Sequence, residues 1–216
     1  MSTVILFDLD GTIIDSTEAI VETFFYVFDK KGFENKIIED DIKRLIGYPL
    51  DIMFESLGVE HSFSHEFVDE YKLRYREISC EKTILIENAV KSLEIASKFA
   101  RLGVVTTKTA MYSHPLLNHL NVGHYFECLI GRENVTHPKP HPEPIYKAME
   151  SMNLDLKEND IYMIGDTKLD LMASSNAGIK GIGVLSGYGT QEELSLYSDK
   201  IFKDTLDAVN YLYDIK

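Results

Sequence analysis

The chain has 216 residues, 44% of them hydrophobic and 26% charged, with a formal charge of −13. That length and balance fit a globular chain with one sizeable core, or a core plus a small second unit, and the acidic excess argues against nucleic acid, whose phosphates need basic surface. No apolar run approaches a membrane span, no signal peptide precedes the first strand, and Cys80 and Cys128 form neither a CxxC nor a zinc pattern, so the expectation is a cytoplasmic protein without a membrane partner.

Val4-Ile5-Leu6-Phe7-Asp8-Leu9-Asp10-Gly11-Thr12 comes first. Its β-branched and large apolar run predicts a strand buried on both faces. Residues two apart in an extended segment face the same side, so Asp8 and Asp10 present their carboxylates together before Gly11 lets the chain turn. Such a pair is costly at the end of a buried strand unless its charge is offset. A hard divalent cation, which prefers oxygen ligands, would do so. The plain alternative is that the acids only cap a strand and open a turn.

Asp15-Ser16-Thr17-Glu18 signals a helix start, with Ser16 or Thr17 as N-cap. Ala19, Ile20, Phe24, Val27 and Phe28 then recur at helical spacing up to a stop at Gly32. Further helices are expected from about 40 to 46, ending at Gly47, from near Pro49 to Gly58, and over roughly 64–79. Nothing between 16 and 80 reads as a strand, so this is a helical block inserted after one strand. Phe24, Phe25 and Phe28 read as core or interface within it. From about residue 82 the texture changes. A helix over 87–101 leads into a strand over 104–107, followed by a helix over 110–120 and a strand over 128–130. A proline-rich loop, His137-Pro138-Lys139-Pro140-His141-Pro142-Glu143-Pro144, precedes a helix over 143–152 and a strand over 161–164. Gly165-Asp166-Thr167 ends that strand. A helix over 168–177, a strand over 181–185, a loop with Gly187 and Gly189, and a helix over 205–213 close the chain. Strands alternating with helices of this length predict an α/β fold with a parallel sheet.

Function in an open parallel sheet sits at the carboxyl ends of the strands. Those ends carry Asp8 and Asp10, Thr106 and Thr107, and Asp166 with Asp170 one helical turn beyond; the proline-rich loop adds Lys139. A divalent metal plus a phosphoryl group fits this set. Asp8, deepest on its strand, is the candidate nucleophile. Asp10 is placed to protonate the leaving oxygen and then deprotonate water. Mg²⁺ would be held by Asp8, substrate oxygens and Asp166. The Thr106 hydroxyl and the Thr107 N–H would donate to phosphoryl oxygens. Lys139, in a loop that the prolines restrict, would neutralise Asp8 and the phosphoryl group. Metal and lysine together would place positive charge locally on an acidic chain. Taken singly, these signals have plainer readings: Gly165-Asp166-Thr167 as a strand end with an N-cap, Thr106-Thr107 as ordinary strand composition, Lys139 as a solvated turn lysine. His137 and His141 are four apart, but the prolines between them forbid the helix that would align them as metal ligands.

In this order, Asp8-Leu9-Asp10-Gly11-Thr12, Thr106 after an apolar strand, Lys139 in a Lys-Pro loop, and Gly165-Asp166-Thr167-Lys168-Leu169-Asp170 resemble the signatures of the haloacid dehalogenase superfamily, and within it the phosphoglycolate phosphatase group. The resemblance implies a Rossmann-like parallel-sheet core (1–15 and 81–216) with an inserted small α-helical cap (16–80). It implies that Mg²⁺ is bound by the Asp8 side chain, the Asp10 carbonyl and Asp166, with Asp170 in support. Residues 44–47 resemble the group's cap loop and Gly187-Tyr188-Gly189 its late loop. Gly11 and Thr107, with Arg44, Gly47 and Tyr48, are the expected substrate contacts; Arg44 reads equally as a solvated helix-end residue. Thr83-Ile84-Leu85-Ile86-Glu87-Asn88 departs from the usual Pro-containing turn, which leaves the hinge geometry open.

The resemblance therefore implies a Mg²⁺-dependent phosphatase for small phosphomonoesters, working through an aspartyl-phosphate. A sugar phosphomutase of the same superfamily is the alternative. Against it, the position where those mutases carry a cap histidine is Ile20 here, which can neither donate nor accept a hydrogen bond, and the first motif continues Gly11-Thr12 as in the phosphatases. A true dehalogenase needs no metal, so Asp10, Asp166 and Asp170 argue against it. A non-catalytic binding module on the same fold is disfavoured because each catalytic position holds a competent side chain.

Overall fold

A computed structural model describes residues 2–34 and 36–216; Met1, the first residue of the expected core segment, and Asn35, in the expected cap, lie outside the described residues. Six parallel strands form one sheet: β1 (Ser2–Phe7), β4 (Ala100–Val105), β5 (Cys128–Ile130), β6 (Asn159–Gly165), β7 (Lys180–Val184) and β8 (Ile201–Phe202), in the order β5-β4-β1-β6-β7-β8. The chain winds outward from β1 through β4 to β5, returns to β6 on the other side, and winds outward again. This is the doubly wound, Rossmann-like order, and its switch point lies between β1 and β6.

The residues of β1 alternate between two hydrophobic layers. Ile5 and Phe7 pack with Leu93 of α5 (Ala89–Ala96), Leu116 of α6 (Ala110–His119) and Val209 of α10 (Thr205–Asp214). Val4 and Leu6 pack with Ile145 of α7 (Glu143–Ser151) and Ala173 of α8 (Lys168–Ala177). A strand buried on both faces is apolar throughout, which is what this run shows.

The segment after β1 is helical, as expected: α1 (Thr17–Lys30), α2 (Glu39–Lys43), α3 (Leu50–Ser56) and α4 (His61–Ile78). These helices share a hydrophobic cluster of their own. Its centre is aromatic, with the Phe24 ring 4.5 Å from Phe54 and 5.0 Å from Tyr71. Phe24 and Phe28 are buried there, whereas Phe25 is exposed.

Three differences from the sequence reading matter for the site. The helix expected over 87–101 stops at Ala96, and the strand begins at Ala100 rather than 104. Ala100, Arg101 and Leu102 favour helix intrinsically, but pairing of Thr3 with Ala100 through Phe7 with Val104 claims them for the sheet. Second, Ile14–Asp15 (β2) and Ile84–Leu85 (β3) form a small antiparallel pair where the chain leaves the sheet for the helical unit and returns. The segment that lacks a Pro turn is thus tied down by pairing. Asn88 then makes the turn into α5 in the left-handed conformation at φ 67°, with its amide donating to Asp204. Third, the short elements α9 (Gln191–Leu194) and β8 were not anticipated.

Neither cysteine is bridged. Burial pushes the Cys128 thiol up to about 11, whereas Cys80 is half-buried. Since the thiolate is the reactive form, iodoacetamide at pH 8 should modify Cys80 in the native protein and spare Cys128 until denaturant is added. Peptide mass spectrometry reads the order, and equal labelling of both would contradict it. Among the described residues, no helix is long and apolar enough to cross a membrane.

Candidate active site

The carboxyl ends of β1, β4 and β6 converge at the switch point. Asp8 follows β1, its N–H donating to the Ile164 carbonyl of β6, and it is almost fully buried. Asp166 follows β6, and Asp170 lies in the first turn of α8; neither is exposed. Asp8, Asp166 and Asp170 each offer a carboxylate oxygen, and these oxygens lie within 4.8 Å of one another. Lys139 reaches in from the proline-rich loop. Its Nζ lies 2.8 Å from Asp8 Oδ1, 2.5 Å from Asp170 Oδ1 and 3.1 Å from the Val105 carbonyl.

The electrostatics follow from this crowding. Burial first, and then Asp170, push the Asp8 carboxyl up to about 7, against the pull of Lys139. Asp166 is held well above the carboxylate range by burial and by Asp8 and Asp170. Burial works against the charge on Lys139, but Asp170 and Asp8 outweigh it and keep the ammonium protonated. One lysine thus pairs with two of three buried carboxylates. The donor set is all oxygen, and its negative charge exceeds what Lys139 supplies, so the residues present fit a hard divalent cation.

The plain reading of Gly165-Asp166-Thr167 as a strand end with an N-cap also holds. Thr167 is the N-cap of α8, and its N–H and hydroxyl both donate to Asp170 Oδ2, at 3.1 and 2.7 Å. Asp170 therefore locks the start of α8 with one oxygen and holds Lys139 with the other. Asp166 belongs to a different network: Thr12 Oγ1 donates to one oxygen at 3.0 Å and the Tyr188 N–H to the other at 2.8 Å. Gly11 and Gly187 pack against this carboxylate so closely that a Cβ on either would overlap it, and Gly11 also adopts φ +81°.

Asp10 stands apart from the carboxylate cluster. One of its oxygens accepts the Ser16 hydroxyl, and the other lies 3.1 Å from Lys108 Nζ. That lysine is nearly buried, and it also donates to the Tyr75 hydroxyl of α4 at 2.9 Å while lying 4.4 Å from the centre of the Tyr75 ring. Burial opposes the Lys108 charge, but Asp10 and Tyr75 raise its pKa overall. Lys108 thus joins Asp10 to the helical unit. Thr106 accepts the Lys108 N–H on its hydroxyl oxygen, which leaves its own proton to donate elsewhere.

The expected substrate contacts divide. Thr107 is at the strand end, but its hydroxyl donates to the Gly47 carbonyl at 2.9 Å, linking sheet edge and helical unit. Gly47 and Tyr48 line the cavity between those two parts. Arg44 is exposed, caps the C-terminus of α2 and is not among the cavity-lining residues, which matches its helix-end reading. The prolines do not keep His137 and His141 apart: their rings lie 4.7 Å from each other. Both are nevertheless engaged, His137 Nδ1 with the Glu143 carboxylate at 3.0 Å and His141 Nδ1 with the Glu143 N–H at 3.1 Å.

Sequence reasoning gave no site role to Lys108, Ser16 or Thr12; Thr12 had a local signal as part of the first motif, and Ser16 only as a helix N-cap candidate. Tyr188 was singled out only through the late-loop resemblance, and its N–H is what reaches Asp166.

Comparison with known proteins accords with this geometry. The family model for haloacid dehalogenase-like hydrolases matches residues 5–184. The chain is 32% identical over 196 residues to the pyrophosphatase PpaX of Anoxybacillus flavithermus, covering 89% of this chain and 88% of that relative. It is 28% identical to the phosphoglycolate phosphatase of Colwellia psychrerythraea, over 95% and 94% of the two chains. A solved haloacid dehalogenase-like hydrolase of Bacteroides fragilis superposes with a TM-score of 0.90 at 30% identity, covering 96% of this chain and 100% of that one. The family match runs from within β1 to the end of β7 and takes in all four aspartates at the sheet edge, so the chain belongs to the haloacid dehalogenase-like hydrolase family.

Proposed function

We propose that this hydrolase is a Mg²⁺-dependent phosphatase of small phosphomonoesters, with Asp8 as nucleophile and Asp10 as acid and base. The observation that carries the reading is the pairing of two differently built carboxylate environments at one strand end. Asp8 is buried against Lys139, and Asp10 faces the cavity under Lys108 and Ser16.

Lys139 holds Asp8 Oδ1, and among the described residues no hydrogen bond reaches Oδ2, which is the oxygen left to attack phosphorus. The new Oδ2–P bond forms as the bond from phosphorus to the leaving oxygen breaks, and Asp10 gives that oxygen a proton. Water then attacks the aspartyl-phosphate, Asp10 takes its proton, and the Oδ2–P bond breaks to return Asp8 and release phosphate. Thr106 donates its hydroxyl proton to a phosphoryl oxygen. Asp8 and Asp166, with the Asp10 carbonyl, would hold Mg²⁺, while Asp170 keeps Lys139 in place. A bound Mg²⁺ would neutralise phosphoryl charge and orient the group for in-line attack. Helices α1–α4, residues 16–80, act as a cap that excludes bulk water. Ile20 lines the cavity with nothing that could hold Asp10 back from activating water, which favours hydrolysis over transfer to a second hydroxyl.

Release of p-nitrophenol from p-nitrophenyl phosphate should require Mg²⁺ and stop on addition of EDTA. Asp166→Ala should raise the Mg²⁺ concentration needed for half-maximal rate about tenfold or more while leaving the fold intact, whereas His137→Ala and His141→Ala should not change it. A metal requirement that followed the histidines instead would sink the ligand assignment.

A further inference from the structure

A cavity of about 730 Å³ opens between the helical unit and the edge of the sheet, well within the size range of small-molecule sites. Asp10 lines it; Asp8, Asp166 and Lys139 do not. In the reaction above Asp10 hands its proton to the leaving oxygen, so the space it borders is where the leaving group goes. A two-carbon or monatomic leaving fragment would leave most of that space to water, which is the competitor the cap should exclude.

The walls show what fits instead. They are chiefly aliphatic, thioether and phenolic: Ile20, Met53, Val68 and Tyr71 from the helical unit, and Met111 and Tyr112 from α6. The carboxylates among the lining residues (Asp10, Asp51, Glu133) are matched in number by the lysines and arginine (Lys72, Lys108, Arg132), so the cavity offers no positive field to a second anionic group. Lys108 is already held by Asp10 and Tyr75, and the lining histidines His61 and His65 lie against Glu55 and Asp69, whereas Arg132 gives one N–H to the Val135 carbonyl and keeps its charge. A glycolate carboxylate or a second phosphate would meet Lys72 and Arg132 only alongside the lining carboxylates Asp51 and Glu133, in surroundings that otherwise disfavour a buried charge. Flat rings gain from phenol faces and from thioethers.

We infer that the substrate is a phosphomonoester with a large, uncharged, ring-bearing leaving group of nucleoside type, its ring system laid between Tyr71, Val68 and Met53 on one side and Met111 and Tyr112 on the other. This rests on the phosphatase reading and specifies its substrate class.

The test measures phosphate release, with Mg²⁺ present, from the nucleoside 5′-monophosphates, phosphoglycolate, pyrophosphate and acetyl phosphate. The expected result is a kcat/KM for at least one nucleoside monophosphate about tenfold or more above both phosphoglycolate and pyrophosphate. Leu50→Trp and Met111→Trp fill the cavity from positions that are not fully buried. Each should lower the ratio of nucleoside monophosphate to acetyl phosphate turnover by about tenfold. Phosphoglycolate or pyrophosphate cleaved faster than every nucleoside monophosphate would overturn the substrate class and leave the phosphatase reading standing. So would a ratio that neither filling variant alters. Failure to release phosphate from any of these compounds, acetyl phosphate included, would overturn the phosphatase reading and the substrate class with it. The wild-type comparison decides the matter even if a tryptophan variant misfolds.

Discussion

Asp8→Asn should lower kcat by roughly 10⁴–10⁶-fold, the scale on which loss of a nucleophile acts, and at the same time raise the thermal midpoint of the Mg²⁺-free protein. The first effect follows because an amide cannot form the aspartyl-phosphate. The second follows from the crowding of carboxylates. Burial and Asp170 push the folded-state pKa of Asp8 from 3.8 to about 7 even with Lys139 in place. A carboxyl with a raised folded pKa binds its proton more tightly in the native state than in the unfolded one. Its ionisation costs nothing below pH 4, costs progressively more between 4 and 7, and is fully adverse above that. A neutral amide of the same shape removes the cost, and Lys139 keeps Asp170 as partner at 2.5 Å. Thermal melts in EDTA should therefore favour the variant at pH 8 and show little difference near pH 4. Phosphate release at a near wild-type rate would remove the covalent mechanism, and a lower midpoint at pH 8 would contradict the electrostatic account.

Lys139→Met should have the opposite effect on stability and is expected to be among the most destabilising single changes in the chain. The Lys139 side chain is 2% exposed, and the Asp8 and Asp170 side chains it joins are 5% and 0% exposed, so solvent screens these contacts very little. Removing one partner of a buried ion pair costs about 3–5 kcal/mol, because the remaining charge is left uncompensated. In a chain of this length that corresponds to a fall of roughly 10 °C in the thermal midpoint. Mg²⁺ should restore part of the loss, since it brings positive charge to the same carboxylates, but it should not restore turnover. An unchanged midpoint in EDTA would mean that Lys139 does not hold both aspartates in solution.

The sequence alone was enough to locate the Asp8–Asp10 pair, the strand that carries it, the helical insertion and the far-end Gly-Asp-Thr motif. Each of these is written in local chemistry. The run from Val4 to Phe7 has no polar interruption, Asp8 and Asp10 are spaced by the period of a strand, and the segment after Ser16 repeats its apolar residues at the period of a helix. The order of motifs along the chain then brought Asp166, Asp170 and Lys139 to the same edge, because parallel strands place their carboxyl ends together.

Tertiary structure decided what local signals could not carry. Ala100 to Leu102 have helical propensity and become strand only because β1 lies beside them to be paired. Lys108 reads in sequence as an unremarkable residue after Thr106-Thr107. It becomes the link between Asp10 and the helical unit only because Tyr75, 33 residues away, is folded over it. Tyr188 offers Asp166 a backbone N–H, which every residue but proline possesses, so no side-chain pattern could mark that contact. The size and apolar lining of the cavity arise from side chains on α3, α4 and α6 that never meet in the linear chain. Propensity and periodicity act over a few residues, whereas a pocket is a property of surfaces brought together by packing. The carboxylates, hydroxyls and lysine of the candidate site were therefore legible in the motifs, and the shape of the space beside Asp10 was set only by how the helical unit sits on the sheet.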